Sequence, residues 1–241
     1  MEMKYKHNWE DTKKRWDAFW NLESMDRPCI SVVSPSNAEL PEMEQPNSNE
    51  DLWLNPDYVC SLMHKHIAST YWGGESVPGL AVHPLMSGWF LGCSEYAVYE
   101  TNTIWISEFM KSLDDYKLYN PGLSDPLHGK VENLVRRMLD EAKGLCMIGY
   151  PFPMCINDLL PLAMGPVEFL MTLADEPDKC RQILIDMWHL WFREYEYFRK
   201  LIDSTQEGHY WSWPGMWSRD MVALTQSDMS CTIGPGNFEQ F

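Results

Sequence analysis

The chain has 241 residues, 45% hydrophobic and 22% charged, a globular balance that argues against a disordered or fibrous polymer. Its 19 Lys+Arg against 35 Asp+Glu leave a net charge of −16, so the basic footprint of a nucleic-acid or anionic-membrane partner is missing. Met1 to Glu10 is polar, and no apolar run approaches the roughly 20 residues of a membrane span. The 7 cysteines are scattered without CxxC, HxC or CxxH spacing, which points to thiols in a reducing cytoplasm.

In chain order, Asn8 and Asp11 open an amphipathic helix over 9–22 that carries Trp9, Trp16, Phe19 and Trp20. Pro28 to Val33 reads as a short buried strand, and 35–50 as an exposed loop rich in Pro, Asn, Ser and Glu. Asn55-Pro56 caps a helix expected to run to about Trp72, where Gly73-Gly74 ends it. Val77 to His83 is the next strand, and the alternation from Tyr96 to Ile106 predicts a small hairpin insertion over 95–107. Asp125-Pro126 opens a helix with Val131, Leu134, Val135, Met138 and Ala142 on one stripe; Leu145 to Tyr150 follows as a strand.

Pro166 to Ala174 predicts a short helix, and Pro177 starts a long one whose stripe runs from Leu184 to Ile202. His209 to Trp213 and Met221 to Gln226 read as strands, and Asn237-Phe238-Glu239 as the first turn of a further helix. Apolar strands separated by amphipathic helices predict an α/β chain with a parallel sheet or barrel in a single domain over 1–241. A compact (β/α)8 TIM-type barrel takes about 250 residues. Only about five core strands are found here, so the expectation is the N-terminal portion of an incomplete barrel.

Four segments in order carry a resemblance to a known superfamily. They are Arg27-Pro28 before the first strand, GLAVHPLMSGWFLG (79–92), GPVEFLMTLADEPDKC (165–180) with its long following helix, and QSDMSCTIGPGNFEQF (226–241). Together they resemble the uroporphyrinogen decarboxylase superfamily, which includes the methyl-corrinoid:thiol methyltransferases. The resemblance implies a (β/α)8 barrel and one-carbon chemistry, either corrinoid-linked methyl transfer to a thiol or decarboxylation of a small carboxylate. A corrinoid protein is then the implied partner beside a small-molecule substrate.

Two departures set the preference between those reactions. Porphyrinogen decarboxylases follow the first strand with an arginine-rich loop, where this chain has Ser34-Pro35-Ser36-Asn37, and their catalytic Asp aligns with His83. A polycarboxylate would find no bidentate partners there, so methyl transfer is preferred. The methyltransferase zinc site needs a His-x-Cys pair that these residues lack, so no metal ligand is assigned and zinc is expected only with ligands beyond Phe241.

Barrel chemistry gathers at the carboxyl ends of strands. That rule selects His83 and Asp228 as catalytic residues handling protons. Tyr150, Asn157, Asp158, Tyr210, Trp213, Trp217 and Gln226 are selected as substrate-binding residues, with the tryptophans beyond the strand stacking on a flat ligand. Two readings from other classes stay open. One is a non-catalytic small-molecule or sugar-binding barrel. The other is a glycoside hydrolase, which would need Asp158 and Asp228 facing each other at about 5–9.5 Å.

Overall fold

The computed structural model describes residues 3–38, 40, 42–82, 94–116, 126–151, 156–221 and 227–239. His83, Gln226 and the expected strand beyond Met221 lie outside the described residues. The elements are α1 (Trp9–Trp20), β1 (Ser31–Pro35), α2 (Asn49–Leu54), α3 (Pro56–Ala68), β2 (Thr70–Gly74), β3 (Gly79–Ala81), β4 (Ala97–Tyr99) and β5 (Ile104–Ile106). They continue with α4 (Pro126–Glu141), β6 (Met147–Gly149), α5 (Ile156–Met164), α6 (Pro166–Asp175), α7 (Pro177–Asp203), β7 (His209–Trp211), β8 (Met216–Ser218) and α8 (Pro235–Phe238). The chain is mixed α/β. No helix among the described residues is long and apolar enough to cross a membrane.

Two compact units divide the chain: Met1–Val82, Val131–Pro151 and Phe198–Leu224 form the first, and His83–Lys130, Phe152–Tyr197 and Thr225–Phe241 the second. In the first unit β3 pairs with β6 in parallel, Gly79 to Met147 through Ala81 to Gly149. The other pairs among the described residues, β1–β2, β4–β5 and β7–β8, are antiparallel. Parallel pairing is thus narrower than the sequence pattern implies, and the described strands do not close an eight-stranded barrel.

β7 nevertheless lies beside β6. The Gln206 side chain takes the place of a neighbouring strand, accepting from the Ile148 N–H at 2.9 Å and donating to its carbonyl at 3.0 Å. Further along, Tyr150 meets His209. Gly149 is wedged between the two neighbours: a Cβ there would stand 3.0 Å from the Ala81 Cβ and 3.1 Å from the Tyr210 carbonyl. Around this layer the core gathers Met3, Trp9, Trp16, Val77, Met147, Tyr210 and Trp217.

The tryptophans of α1 each find a polar partner or a ring. Trp9 packs edge-on against Trp217 at 5.7 Å, Trp16 donates to the Glu75 carbonyl, and Trp20 donates to the Trp217 carbonyl. Arg27, the head of the first resembling segment, makes a bidentate pair with Glu75, both contacts at 2.6 Å. Glu75 also accepts the Ile30 N–H at 2.8 Å, and the Arg15 guanidinium stands 3.5 Å away. Burial pushes this carboxyl up, but Arg27, the Ile30 N–H and Arg15 outweigh it and hold Glu75 below the usual carboxylate range. Lys6 donates to the Gly74 and Trp72 carbonyls, and burial lowers its amine to about 8, against the pull of Glu75 and with the push of Arg27.

Helix α3 begins as expected, with the Asn55 side chain accepting from the Asp57 and Tyr58 N–H groups and Pro56 in the first turn. It stops at Ala68, short of Trp72. Thr70 and Ser69 hydroxyls donate to the His66 carbonyl and the Trp72 indole donates to the Ile67 carbonyl, so the last-turn acceptors are satisfied by the residues that enter β2. β1 is exposed along its whole length, against the buried strand expected, with Val33 at 61%. The stripe of α4 is as read: Val131, Leu134, Val135 and Met138 are fully buried. α2, within and beyond the expected loop, is nucleated by Ser48 accepting the Asp51 N–H.

In the second unit the hairpin forms as the alternation predicts, Ala97 opposite Ile106 and Tyr99 opposite Ile104. Phe109 stacks on Tyr96 at 5.0 Å, and the N–H groups of Phe109 and Met110 both reach the Ala163 carbonyl of α5. A buried His128–Glu194 contact of 2.8 Å ties the first turn of α4 to α7.

Candidate functional site

A cleft of about 810 Å³ opens in the first unit between the β1–β2 ribbon, β3 and the turn that follows β7. Trp72, Tyr210 and Trp213 are its aromatic lining, and Val33, Ser34 and Ser212 line it with them. Local sequence dictates this lining. Gly79 must lack a side chain, because a Cβ there would stand 2.3 Å from the Tyr210 ring. Gly215, at φ +65°, closes the β7–β8 turn in the left-handed region and presents Trp213 at 71% exposure.

The lining is rich in hydroxyls, and among the described residues it contains no Asp, Glu, Lys or Arg. Its titratable groups are the Tyr210 phenol, which burial pushes up, and His66, whose ring sits edge-on to Trp72 at 5.7 Å and whose partial desolvation lowers its proton affinity. The described lining therefore carries no carboxylate, ammonium or guanidinium, on a chain of net charge −16.

Of the residues the sequence singled out, Tyr210 and Trp213 share this cleft. Trp217 does not: it is fully buried in β8 against Trp9, with its indole donating to the Glu207 carbonyl at 3.1 Å. No face of its ring is left for a ligand. Tyr150 directly follows β6 and is buried outside the cleft lining; its hydroxyl meets Nδ1 of His209. Asp203 Oδ1 stands 3.4 Å from the same nitrogen, and Asp203 Oδ2 accepts from Arg199 at 2.9 Å. Burial lowers the proton affinity of His209, with Asp203 acting in the opposite direction.

Asn157, Asp158 and Asp228 belong to the second unit. Both carboxylate oxygens of Asp158 are engaged, Oδ2 by the Asp228 N–H and Oδ1 by the Met229 N–H, each at 3.0 Å. Asp158 thereby caps the 3₁₀ turn Asp228–Thr232, whose own Ser227 supplies no side-chain cap. Burial pushes its pKa up, the two N–H groups pull it down, and the neighbouring Asp228 charge adds to the rise. Asn157 is half-buried on α5, and Asp228 is exposed at the start of the turn. Asp158 thus meets Asp228 through the Asp228 backbone N–H.

The sequence reading passed over Arg199, Asp203 and His209. Their signal was the i,i+4 Arg–Asp pair in the last turn of α7, six residues before a strand-opening histidine.

For the zinc centre implied by the resemblance, the described residues do not fit. No three His, Cys, Asp or Glu among them converge as metal ligands. Burial pushes the thiols of Cys60, Cys146 and Cys180 up to about 11, 12 and 11, which keeps them protonated. Comparison with known proteins found no matching family model, no matching curated protein and no matching solved structure.

Proposed function

We propose that this chain forms part of a uroporphyrinogen decarboxylase-like (β/α)8 barrel, with β3, β6 and β7 as adjacent staves, working in the cytoplasm on corrinoid-linked methyl transfer to a thiol. The observation that carries the reading is the charge-free aromatic cleft along β3 and past the carboxyl end of β7, the edge from which barrels of this type work. An uncharged organic thiol suits such a lining. A polycarboxylate does not, because no arginine or lysine stands among the described lining residues to receive it. The reaction class comes from the resemblance of the four segments, and no step is routed through a metal.

Methylcobalamin incubated with the full-length protein and a neutral thiol should lose its methyl group, read from the cobalamin absorbance. Absence of turnover across several thiols overturns the enzymatic reading.

A non-catalytic small-molecule or sugar-binding barrel is the second reading, favoured by the hydroxyl and aromatic groups of Ser34, Ser212, Trp72 and Trp213 among the described lining residues. It is distinguished by saturable quenching of tryptophan fluorescence by a neutral thiol or a pyranoside without turnover, lost in Trp213→Ala.

A further inference from the structure

Helix α7 carries apolar residues on two adjoining faces. Leu184, Met187, Trp191 and Tyr195 are buried, whereas Ile185, Trp188 and Phe192 are exposed. Steps of three and four put the exposed three on one line along the helix. They are held from behind. Phe192 meets Trp188 edge-on at 4.8 Å between centroids and Trp191 edge-on at 5.4 Å. Trp188 stacks on buried Trp191 at 5.6 Å, and Trp191 stacks on buried Tyr195 at 5.5 Å. The exposed rings are thus placed by the core before any partner arrives, so covering them costs little side-chain freedom. A solvent-facing apolar line of this kind marks an interaction surface.

The charges at the ends of the line say what covers it. Arg181 lies one turn before Ile185, and Glu196 lies one turn after Phe192, on the same line. These positions are symmetric about the midpoint between Trp188 and His189. A second copy of the helix turned about that point sets Arg181 opposite Glu196, Ile185 opposite Phe192 and Trp188 opposite His189. A twofold pair makes each of these contacts twice. A parallel pair instead sets Arg181 on Arg181 and Glu196 on Glu196, and a wholly acidic or wholly basic partner meets a like charge at one end.

We propose that the face of α7 from Arg181 to Glu196 is a dimer surface, on which a second copy of this chain docks antiparallel about a twofold axis between Trp188 and His189. Arg181 and Glu196 also interact within their own chain, so the apolar line supplies the affinity and the charges fix the register. Repulsion between two chains of net charge −16 weakens the association at low salt. The inference is independent of the cleft and of the reaction proposed for it.

The test is sedimentation equilibrium on the full chain over a range of concentrations, in about 0.15 M salt, which screens charge beyond about 8 Å. The average mass should climb from that of one chain, 28.2 kDa, towards twice that value. One helix pair is at the small end of specific interfaces, below about 1,200 Å² in total, so the rise needs high concentration. Trp188→Ala removes the central ring from both copies and should lower the association constant about hundredfold. Arg181→Glu and Glu196→Arg each turn two attractions into two repulsions and should lower it about tenfold. Combining the two reversals restores opposite charges across the axis and should recover most of that loss. Circular dichroism of each variant separates lost folding from lost pairing. A chain that stays monomeric up to its solubility limit overturns the proposal, as does a dimer that all three single variants leave intact. Failure of the combined reversal to rescue two weakened but folded single variants overturns it as well. The wild-type mass and the exposed Arg181→Glu variant decide it if Trp188→Ala does not fold.

Discussion

Glu75 and His209 are both buried ionisable groups of the first unit, and their surroundings differ in one respect. The Glu75 carboxylate has as many donors as it has places to accept them: two from Arg27, one from Ile30 and a longer approach from Arg15. Its charge state is therefore fixed, and it pins the chain before β1 to the end of β2. His209 has two partners for a single nitrogen. Matching donors to acceptors yields a clamp, whereas a single ring nitrogen cannot bond fully to two partners at once. The same count distinguishes Asp158, whose two oxygens and two N–H partners make it a cap rather than a free acid.

The sharpest way to break the comparison is Glu75→Gln. The amide cannot receive Arg27 on both atoms and leaves the guanidinium uncompensated beside a buried site. The expected loss is about 3 kcal/mol of unfolding free energy in urea. A loss below about 0.5 kcal/mol, the level of an ordinary surface change, would show that Glu75 is not a clamp.

A smaller effect follows from acid. Burial lowers the proton affinity of His209 in the fold, so below the ordinary histidine value the unfolded chain binds more protons and stability falls with falling pH. Glu75 is shifted the other way relative to its charge: held below the usual carboxylate range, its contribution is intact above that range and is lost only as pH falls through it. Urea midpoints against pH should show a first decline near the histidine range and a second in the carboxylate range. His209→Gln should reduce the first, leaving the share that desolvated His66 contributes, and spare the second; an unchanged first decline breaks the assignment.

How much of this was legible depended on whether the signal was local. The hairpin at 97–106, the Asn55-Pro56 cap and the α4 stripe are written in adjacent residues, and the structure carries each of them. β2 was hidden because Tyr71 continues the helical spacing from Ile67, so period alone cannot separate the last turn of α3 from the strand. β8 was hidden because Pro214-Gly215 reads as a loop, although it is a turn returning Trp217 to the core. The contacts of Ile30 with Glu75 and of Tyr150 with His209 join residues 45 and 59 positions apart, which no spacing rule reaches. Tyr150 and Tyr210 stand where strand ends can be read from sequence; Asp203 lies within six residues of both Arg199 and His209, but an Arg–Asp pair at i,i+4 reads equally as an ordinary helix-surface pair.

The smallest expected effect is at the cleft, and it serves as the control for both clusters. Trp213 and Trp217 stand four residues apart on one hairpin, yet the first is 71% exposed and the second fully buried. Trp213 sits in the turn, touches neither Glu75 nor His209 in any hydrogen bond, and buries little area that unfolding would expose. Trp213→Ala should therefore leave the urea midpoint within about 0.5 kcal/mol of the parent and keep both acid declines. It should also remove the tryptophan most accessible to acrylamide among the described residues, lowering the quenchable fraction of the fluorescence. A large stability loss would mean that the Trp213 ring is packed in solution, and the aromatic wall of the cleft would then belong to the core that Trp217 already fills.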